Sequence, residues 1–589
     1  MSLRQMLARK SLDTILAEME GGEGRLKRAL GPVSLTALGI GAVIGAGIFV
    51  ATGAAAKDVA GPALMVSYLV AGVTCIFAAL CYAEFASMAP VAGSAYTYAY
   101  ATLGELFAWI IGWDLVLEYA VAAATVANGW SSYSQSVLLK LGVVLPMALC
   151  GAPQKYDQGH ILPNSIAKLD GHEVTQKYLN EKEALWPGGE IKPAEGLFWV
   201  RAARAGASVD PVKEEGRVVV AGSVGDKVVE SSLTDLLPAR VNLLAILVVT
   251  AVTIVLVKGI QESAGFNAVM VAIKVAAVLF VIIVGAFYVT PENWTRDFAP
   301  YGWTGVSIFG IPVLGTPGPE GTPVGVLAGA AIIFFAYIGF DAVSTQAEEA
   351  TNPQRDVPIG IIASLIICTV LYIGVVAVLT GMVPYKELSK DAGVSDAFRR
   401  VGLYWAEFVI AIAGVAGITS VLLVMLLSAP RVFLAMARDG LVPKKVFASV
   451  HPTFKTPWIS TILIGLCVAV MTAFLPIDAL LHLTNIGTLF AFVIVCAAVI
   501  VMRVVNPGAP RPFRCPLVPM VPIAGILSCL LLMLSLPAAN WLRLFGWLAI
   551  GLMIYFCYGM HHSTQGKNLR EQLKHLEPPT SGPQSNIAG

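Results

Sequence analysis

Apolar runs of about 20 residues recur along almost the whole chain, divided by short polar segments. Each can cross a hydrocarbon core of about 30 Å at a rise of about 1.5 Å per residue. Twelve are legible, at 33–54, 62–88, 96–127, 241–259, 267–289, 324–347, 358–383, 404–430, 457–476, 480–502, 518–537 and 541–559. Continuous runs of this length predict helices rather than strands. The expected fold class is therefore all-α and polytopic, with twelve transmembrane helices. Residues 1–32 are polar and amphipathic and show no signal-peptide cleavage pattern, so a retained cytoplasmic segment is expected. Residues 561–589 read as a cytoplasmic tail. The remaining expected units are helices 1–3 over 33–141, an insertion over 142–240 and helices 4–12 over 241–560.

The insertion interrupts the pattern. It is mostly polar, and structureless loops of that length are uncommon. "RVVVAG" and "DKVVESSL" alternate like short strands, and Gly and Pro punctuate the rest. A small extracytoplasmic subdomain is expected. It carries no nucleophile, metal or phosphate constellation. A structured cap or variable insertion is one reading, and a partner-binding or substrate-capturing role the other.

Composition agrees with a membrane protein. Hydrophobic residues make up 57% of the chain and charged residues 13%, against about 25% charged in soluble domains. The net charge of +1 gives no basic excess for a nucleic-acid partner. Lysines and arginines set the orientation. Arg4, Arg9, Lys10, Arg25, Lys27 and Arg28 precede the first run. Arg431, Arg438, Lys444, Lys445 and Lys455 follow the eighth, and Arg503, Arg511 and Arg514 follow the tenth. The positive-inside bias puts these segments, both termini and the tail residues Lys567, Arg570 and Lys574 on the cytoplasmic side of a plasma (inner) membrane. Lys386, Lys390, Arg399 and Arg400 run against the bias. The nine cysteines show no metal-ligand spacing.

Two runs contain interruptions. "GIGAVIGAGIF" (Gly39–Phe49) holds four glycines in eleven residues, and each costs about 1 kcal/mol in a helix relative to Ala. Close packing through Gly41 and Gly45 is the alternative reading. "FFAYIGFDAVSTQAEEATNP" (Phe334–Pro353) places Gly339 and Asp341 mid-span, where a charge is expensive unless it lines a polar interior. Breaks in the first and sixth spans, five apart, point to a transporter binding site. A broken helix offers N–H groups to a carboxylate and C=O groups to an ammonium. A zwitterionic amino acid presents both.

A third anomaly is Lys274, inside "NAVMVAIKVAAVLFVIIVGAFYV". It sits about seven residues, or roughly 10 Å, into its span. A flexible stem can snorkel to the interface from there. The amine can equally turn inward to a polar site.

The stretches "GIGAVIGAGIFVATG", "CYAEFASMAPVAGSAYTYAYATLGELFAWIIGWDLVLEYAVAAATVANGW", "FFAYIGFDAVSTQAEEATNPQRDVPIGI", "LTGMVPY", "ARDGLVP", "LTNIGTLFAFVIVC" and "RPFRCPLVP" make the chain resemble the amino acid–polyamine–organocation superfamily. Within it, the resemblance is to the cationic amino acid transporter family. The resemblance implies a LeuT-type fold, helices 1–5 related to 6–10 as an inverted repeat, with two helices appended. It also implies site residues. N–H groups of Gly45, Ala46 and Gly47 would hold the substrate carboxylate. Carbonyls of Val43, Phe335 and Ile338 would take the ammonium, and the Phe335 ring would close over the substrate. Ile44 belongs to the same unwound segment. Glu118 would serve recognition and coupling, pairing with a cationic substrate or with Lys274; a structural ion pair is its alternative. Lys274 would occupy the place of a sodium ion, against carbonyls of Gly41 and Ile44 and hydroxyls of Thr419 and Ser420. Glu84, Asp114 and Asp341 are candidate gate or structural residues, Asp341 also for a proton path.

The function expected is secondary active transport of amino acids by alternating access, by proton symport, for cationic and also neutral substrates. Met425 would limit room for a long cationic side chain. Exchange, uniport, and a receptor or channel on a transporter scaffold are the alternatives. The partners expected are an L-amino acid and membrane lipid, with no nucleic acid; a small single-span partner, or one for the insertion, stays open. No cofactor, metal or bound sodium is expected, the coupling ion being H+. His160, His172, His451 and His482 are far apart with no nucleophile beside them, and no phosphate loop is present, so neither an enzyme nor an ATP-driven pump is indicated.

Overall fold

The structure is a computed structural model. It describes residues 5–11, 14–15 and 30–569, except 92, 142, 144, 146–148, 260–262, 309–310, 316, 319–321, 389–392, 455, 476 and much of 153–240. Most of the predicted N-terminal segment and tail, including Arg4, Arg25, Lys27, Arg28, Arg570 and Lys574, lies outside the described residues, as do Lys390 and Lys455. Among the described residues, eight helical stretches are long and apolar enough to cross a membrane. Four shorter apolar helices accompany them.

The first helix, α1 (Pro32–Val43), opens on a proline, whose missing N–H is harmless in a first turn. It stops at Ile44, which is extended at ψ 103°. The chain resumes as a π-helical turn at Gly47–Ala51 and stays helical to Ala60. Next come α2 (Leu64–Met88), the short α3 (Ser94–Thr102) and the long α4 (Glu105–Lys140). The third apolar run therefore splits, and its long helix starts at Glu105 rather than at 96. Gly104 makes the division: its φ is +107°, and a Cβ there would lie 2.7 Å from the Leu7 backbone.

After the insertion run α5 (Leu243–Lys258) and α6 (Ser263–Ala286). The second broken helix starts as α7 (Val326–Ile333), tightens into a 3-10 turn at Phe334–Tyr337, and opens at Ile338 (ψ 132°). It continues as a 3-10 segment, Asp341–Glu349. The rest are α8 (Pro353–Met382), α9 (Tyr404–Arg438), α10 (Trp458–Phe474), α11 (Ile477–Val505), α12 (Met520–Leu534) and α13 (Ala538–Ile554).

Within 142–240 the described backbone forms seven strands. They make two antiparallel sheets, in the orders His160–Pro163, Leu197–Arg201, Glu190–Ala194 and His172–Glu173, Ser165–Leu169, Val218–Val224, Lys227–Ser231. The two alternating stretches of the sequence fall on the last two strands, which pair with Gly222 opposite Val229.

The two broken helices lie at the centre of the helical body. α1 packs on α8, α6 and α9, while α4 packs on α9 and α11. Between apolar helices in lipid, close packing replaces the hydrophobic drive, and small residues permit it. The run Val121–Ala127 of α4 is buried throughout and is mostly alanine.

Candidate functional site

The two breaks meet. Gly47 abuts the second broken helix so closely that a Cβ there would sit 2.3 Å from the Ala336 Cα. Gly339, at φ +116°, presses on the first break, where its Cβ would lie 2.9 Å from the Ala42 carbonyl oxygen. Only glycine tolerates both the left-handed backbone and that approach. The Tyr372 hydroxyl of α8 bridges the breaks, 2.8 Å from the Val43 carbonyl and 3.0 Å from that of Ala336.

A small cavity opens where the breaks cross. Ala42, Val43, Gly45, Ala46 and Gly47 form one wall, and Phe335 and Ile338 another; Ala122 and Val126 of α4 and Val421 and Met425 of α9 complete it. The cavity thus lies between the two breaks, and its remaining walls are apolar. Six of the eight residues expected at the substrate site line it. Ile44 does not, and neither does Glu118.

Lys274 is fully buried, so its amine does not snorkel. Its Nζ donates to the carbonyls of Gly41 at 2.5 Å and Ile44 at 3.0 Å and to Ser420 Oγ at 2.9 Å. An ammonium has three N–H donors, and here it has three acceptors. The Ser420 hydroxyl itself donates a hydrogen bond to the Gly41 carbonyl at 3.1 Å. Gly417, one turn earlier on α9, leaves room for the lysine stem; a Cβ there would meet the Lys274 Cβ at 3.1 Å. Thr419 has other partners. It donates to the Val415 carbonyl at 2.7 Å and accepts from Trp130 Nε1 at 2.8 Å.

The acids divide into three situations. Asp341 accepts from the Tyr119 hydroxyl at 2.5 Å and the Gly339 N–H at 3.2 Å, so it braces the second break. Glu84 is a structural clamp: Arg503 meets it at 2.7 Å, Arg511 at 3.3 Å, and the Cys515 N–H at 2.8 Å. Glu118 and Asp114 are buried on α4, and their carboxylates have no hydrogen-bond partner among the described residues. The pairing of Glu118 with Lys274 is therefore absent.

Sequence reasoning missed Tyr372, Tyr133, whose hydroxyl reaches the Phe49 carbonyl at 2.8 Å, and the arginine partners of Glu84. Single tyrosines in apolar runs carry no periodic signal, since which carbonyl they reach depends on helices far away in sequence.

Apolar helices surrounding two interrupted ones, with freed backbone groups and a buried amine at the crossing, define a polytopic membrane transport protein. The comparisons narrow the class. Residues 30–543 match the family described as amino acid permease. The branched-chain amino acid permease BcaP of Bacillus subtilis (strain 168) is 42% identical over 556 residues, 94% of this chain and 98% of that one. The methylthioribose transporter of the same bacterium is 39% identical, covering 96% and 100%. Cationic amino acid transporter 4, vacuolar, of Arabidopsis thaliana is 33% identical, covering 86% and 69%. The chain belongs to the amino acid permease family, within the amino acid–polyamine–organocation superfamily. These relatives are permeases and transporters, not enzymes.

Proposed function

We propose that this protein is a proton-coupled secondary transporter of amino acids in the plasma membrane, working by alternating access. In this reading its apolar helices are twelve spans with both termini cytoplasmic, ten of them forming a LeuT-type inverted repeat. The observation that carries it is the buried Lys274 amine, held by two carbonyls of the first break and a hydroxyl of α9. A protonated amine fills all three acceptors; a neutral one has only two N–H groups for them. Protonation therefore favours the arrangement in which the first broken helix is docked on α9. If that arrangement also binds substrate better, proton and substrate are linked. No sodium ion is needed where an ammonium stands.

The substrate is a neutral amino acid of modest size. The freed N–H groups of Gly45, Ala46 and Gly47 suit its carboxylate, and the carbonyls of Phe335 and Ile338 suit its ammonium. The Val43 carbonyl is shared with the Tyr372 hydroxyl and the Phe335 carbonyl with the Ile338 N–H at 3.2 Å, so both are weaker ammonium acceptors than the Ile338 carbonyl. The side-chain end of the cavity is Ala122, Val126, Val421 and Met425, and no carboxylate is among the lining residues. That favours an apolar side chain over a cationic one, in keeping with the branched-chain permease relative. The methylthioribose relative makes a neutral thioether sugar the second substrate to test.

Purified protein in liposomes decides it. Branched-chain amino acids, alanine, lysine, arginine and methylthioribose are offered with and without an inward proton gradient. Gradient-driven accumulation of neutral amino acids, lost in Lys274→Ala with counterflow retained, is the expected result. Accumulation by Lys274→Ala equal to the parent's rules out coupling through this amine. Flux without counterflow or saturation indicates a channel.

A further inference from the structure

Between α6 and α7 the chain forms an apolar surface that belongs to no helix. Residues 298–319 carry no charged side chain. Within them the strands Val306–Ile308 and Ile311–Leu314 pair antiparallel, with Ser307 opposite Pro312 and Ile308 opposite Ile311. A register shift sets Val306 against Leu314 and leaves Val313 as the extra residue of a bulge. Cross-strand partners share a face. One face carries the buried Ser307, and the other carries Val306, Ile308, Ile311 and Leu314. Ile308, Ile311, Val313 and Leu314 are 48%, 70%, 55% and 57% exposed, and Trp303 at the base is 59% exposed.

The base of this hairpin is fixed by two helix ends. The Ser307 hydroxyl donates to the carbonyls of Leu534 at 2.8 Å and Leu536 at 3.4 Å, where α12 stops. The carbonyls of Gly302 and Thr304 accept from the Val326 and Leu327 N–H groups at 3.1 and 3.2 Å, where α7 starts. α12 has 15 residues, about 22 Å of helix. Crossing a hydrocarbon core of about 30 Å takes about 20 residues, so α12 leaves apolar depth unfilled. Ile523, Leu527, Leu530 and Leu531 form an exposed stripe on α12 that runs toward Leu534. The apolar face of the hairpin begins where that stripe ends.

Water suits this face poorly. Exposed strands are commonly guarded by charges, and here there are none. Such a patch marks a membrane or a protein contact, and continuity with the stripe on α12 selects lipid. We propose that the strands Val306–Ile308 and Ile311–Leu314 are an interfacial anchor, their Ile308, Ile311 and Leu314 side chains lying among lipid acyl chains just beneath the headgroups. In the twelve-span reading this is the outer leaflet. Trp303 then sits at the level where indole rings are enriched. The inference rests on α12 being a span and not on proton coupling.

Fluorophore quenching in liposomes tests it. Cys150, Cys467 and Cys557 are the cysteines that are not buried. With these changed to Ala, the full chain is labelled through Ile311→Cys or, in a second variant, Leu314→Cys. Leu527→Cys on α12 and Glu292→Cys after α6, both at exposed positions, give the lipid and water references. The quenchers are phospholipid nitroxide-labelled on its acyl chain and aqueous iodide. Labels at 311 and 314 should be quenched by nitroxide at least about threefold more than at 292, and by iodide at least about threefold less. Each variant keeps the parent's size-exclusion profile, and the 314 label gives the same reading if the 311 variant aggregates. Iodide quenching equal to that at 292 means that water covers the face and overturns the anchor. Protection from both quenchers means that protein covers it, the insertion or a second copy, and overturns it too. A Leu527 label that nitroxide does not reach overturns the span and the anchor together.

Discussion

At the scale of single residues, Ser420 and Thr419 are neighbours with different roles. Ser420 is the third acceptor of the Lys274 amine, and Thr419 serves Trp130 and the Val415 carbonyl. A hydrogen bond to a charged group contributes about 1.5–3 kcal/mol. Ser420→Ala should therefore lower gradient-driven uptake by about fivefold or more. Thr419→Ala should change it by no more than about twofold. Initial rates of uptake at fixed gradient check both. The sequence pointed to the pair together, as one hydroxyl-bearing turn. Which hydroxyl turns toward the lysine depends on the rotation of α9, and Gly417 sets that by admitting the lysine stem.

At the scale of elements, the breaks work because each is held from outside. The carbonyls of the first break go to α6 through Lys274, to α9 through Ser420 by way of Gly41, to α8 through Tyr372 and to α4 through Tyr133. Satisfying freed backbone groups is obligatory in a bilayer. Gly339 tests the crossing itself. Gly339→Ala adds a Cβ at 2.9 Å from the Ala42 carbonyl and forces alanine to φ +116°, a cost of about 1–3 kcal/mol in backbone strain. The expected outcome is a folded protein that has lost most transport, checked by size-exclusion profile and counterflow. Helix breaks were legible in the glycine clusters. The contact between them was not, because residues 47 and 336 are far apart in the chain.

At the scale of the whole molecule, buried ion pairs tie distant segments together. Glu84 of α2 holds Arg503 at the end of α11 and Arg511 in the loop beyond it. Glu84→Ala removes the carboxylate from two arginines, leaving them backbone carbonyls as partners. Removing one partner of a fully buried pair costs about 3–5 kcal/mol; Arg503 is partly exposed, so about 2 kcal/mol is expected after screening. A lower melting temperature in detergent, with proton coupling intact in the surviving protein, checks it. Lys10 makes a similar tie, to Asp439 at 2.6 Å just past the end of α9. Both ties were invisible in the chain, where Glu84 reads as an acid near a helix end and Lys10 as part of a solvated basic segment.

By itself the sequence determined the apolar helices, the two interruptions, the anomalous lysine and the strand pattern in part of the insertion. Length, hydropathy and glycine content act locally, and each can be read in a window of one helix. Composition and periodicity left open where the polar groups go; the resemblance implied a place for Lys274, and the tertiary structure decided the partners. It turned Lys274 inward to α1 and α9, gave the cavity at the crossing apolar walls, and left Glu118 away from both. The physical reason is that a buried polar side chain is defined by its partners, and partners come from helices whose crossing depends on packing across the whole bundle.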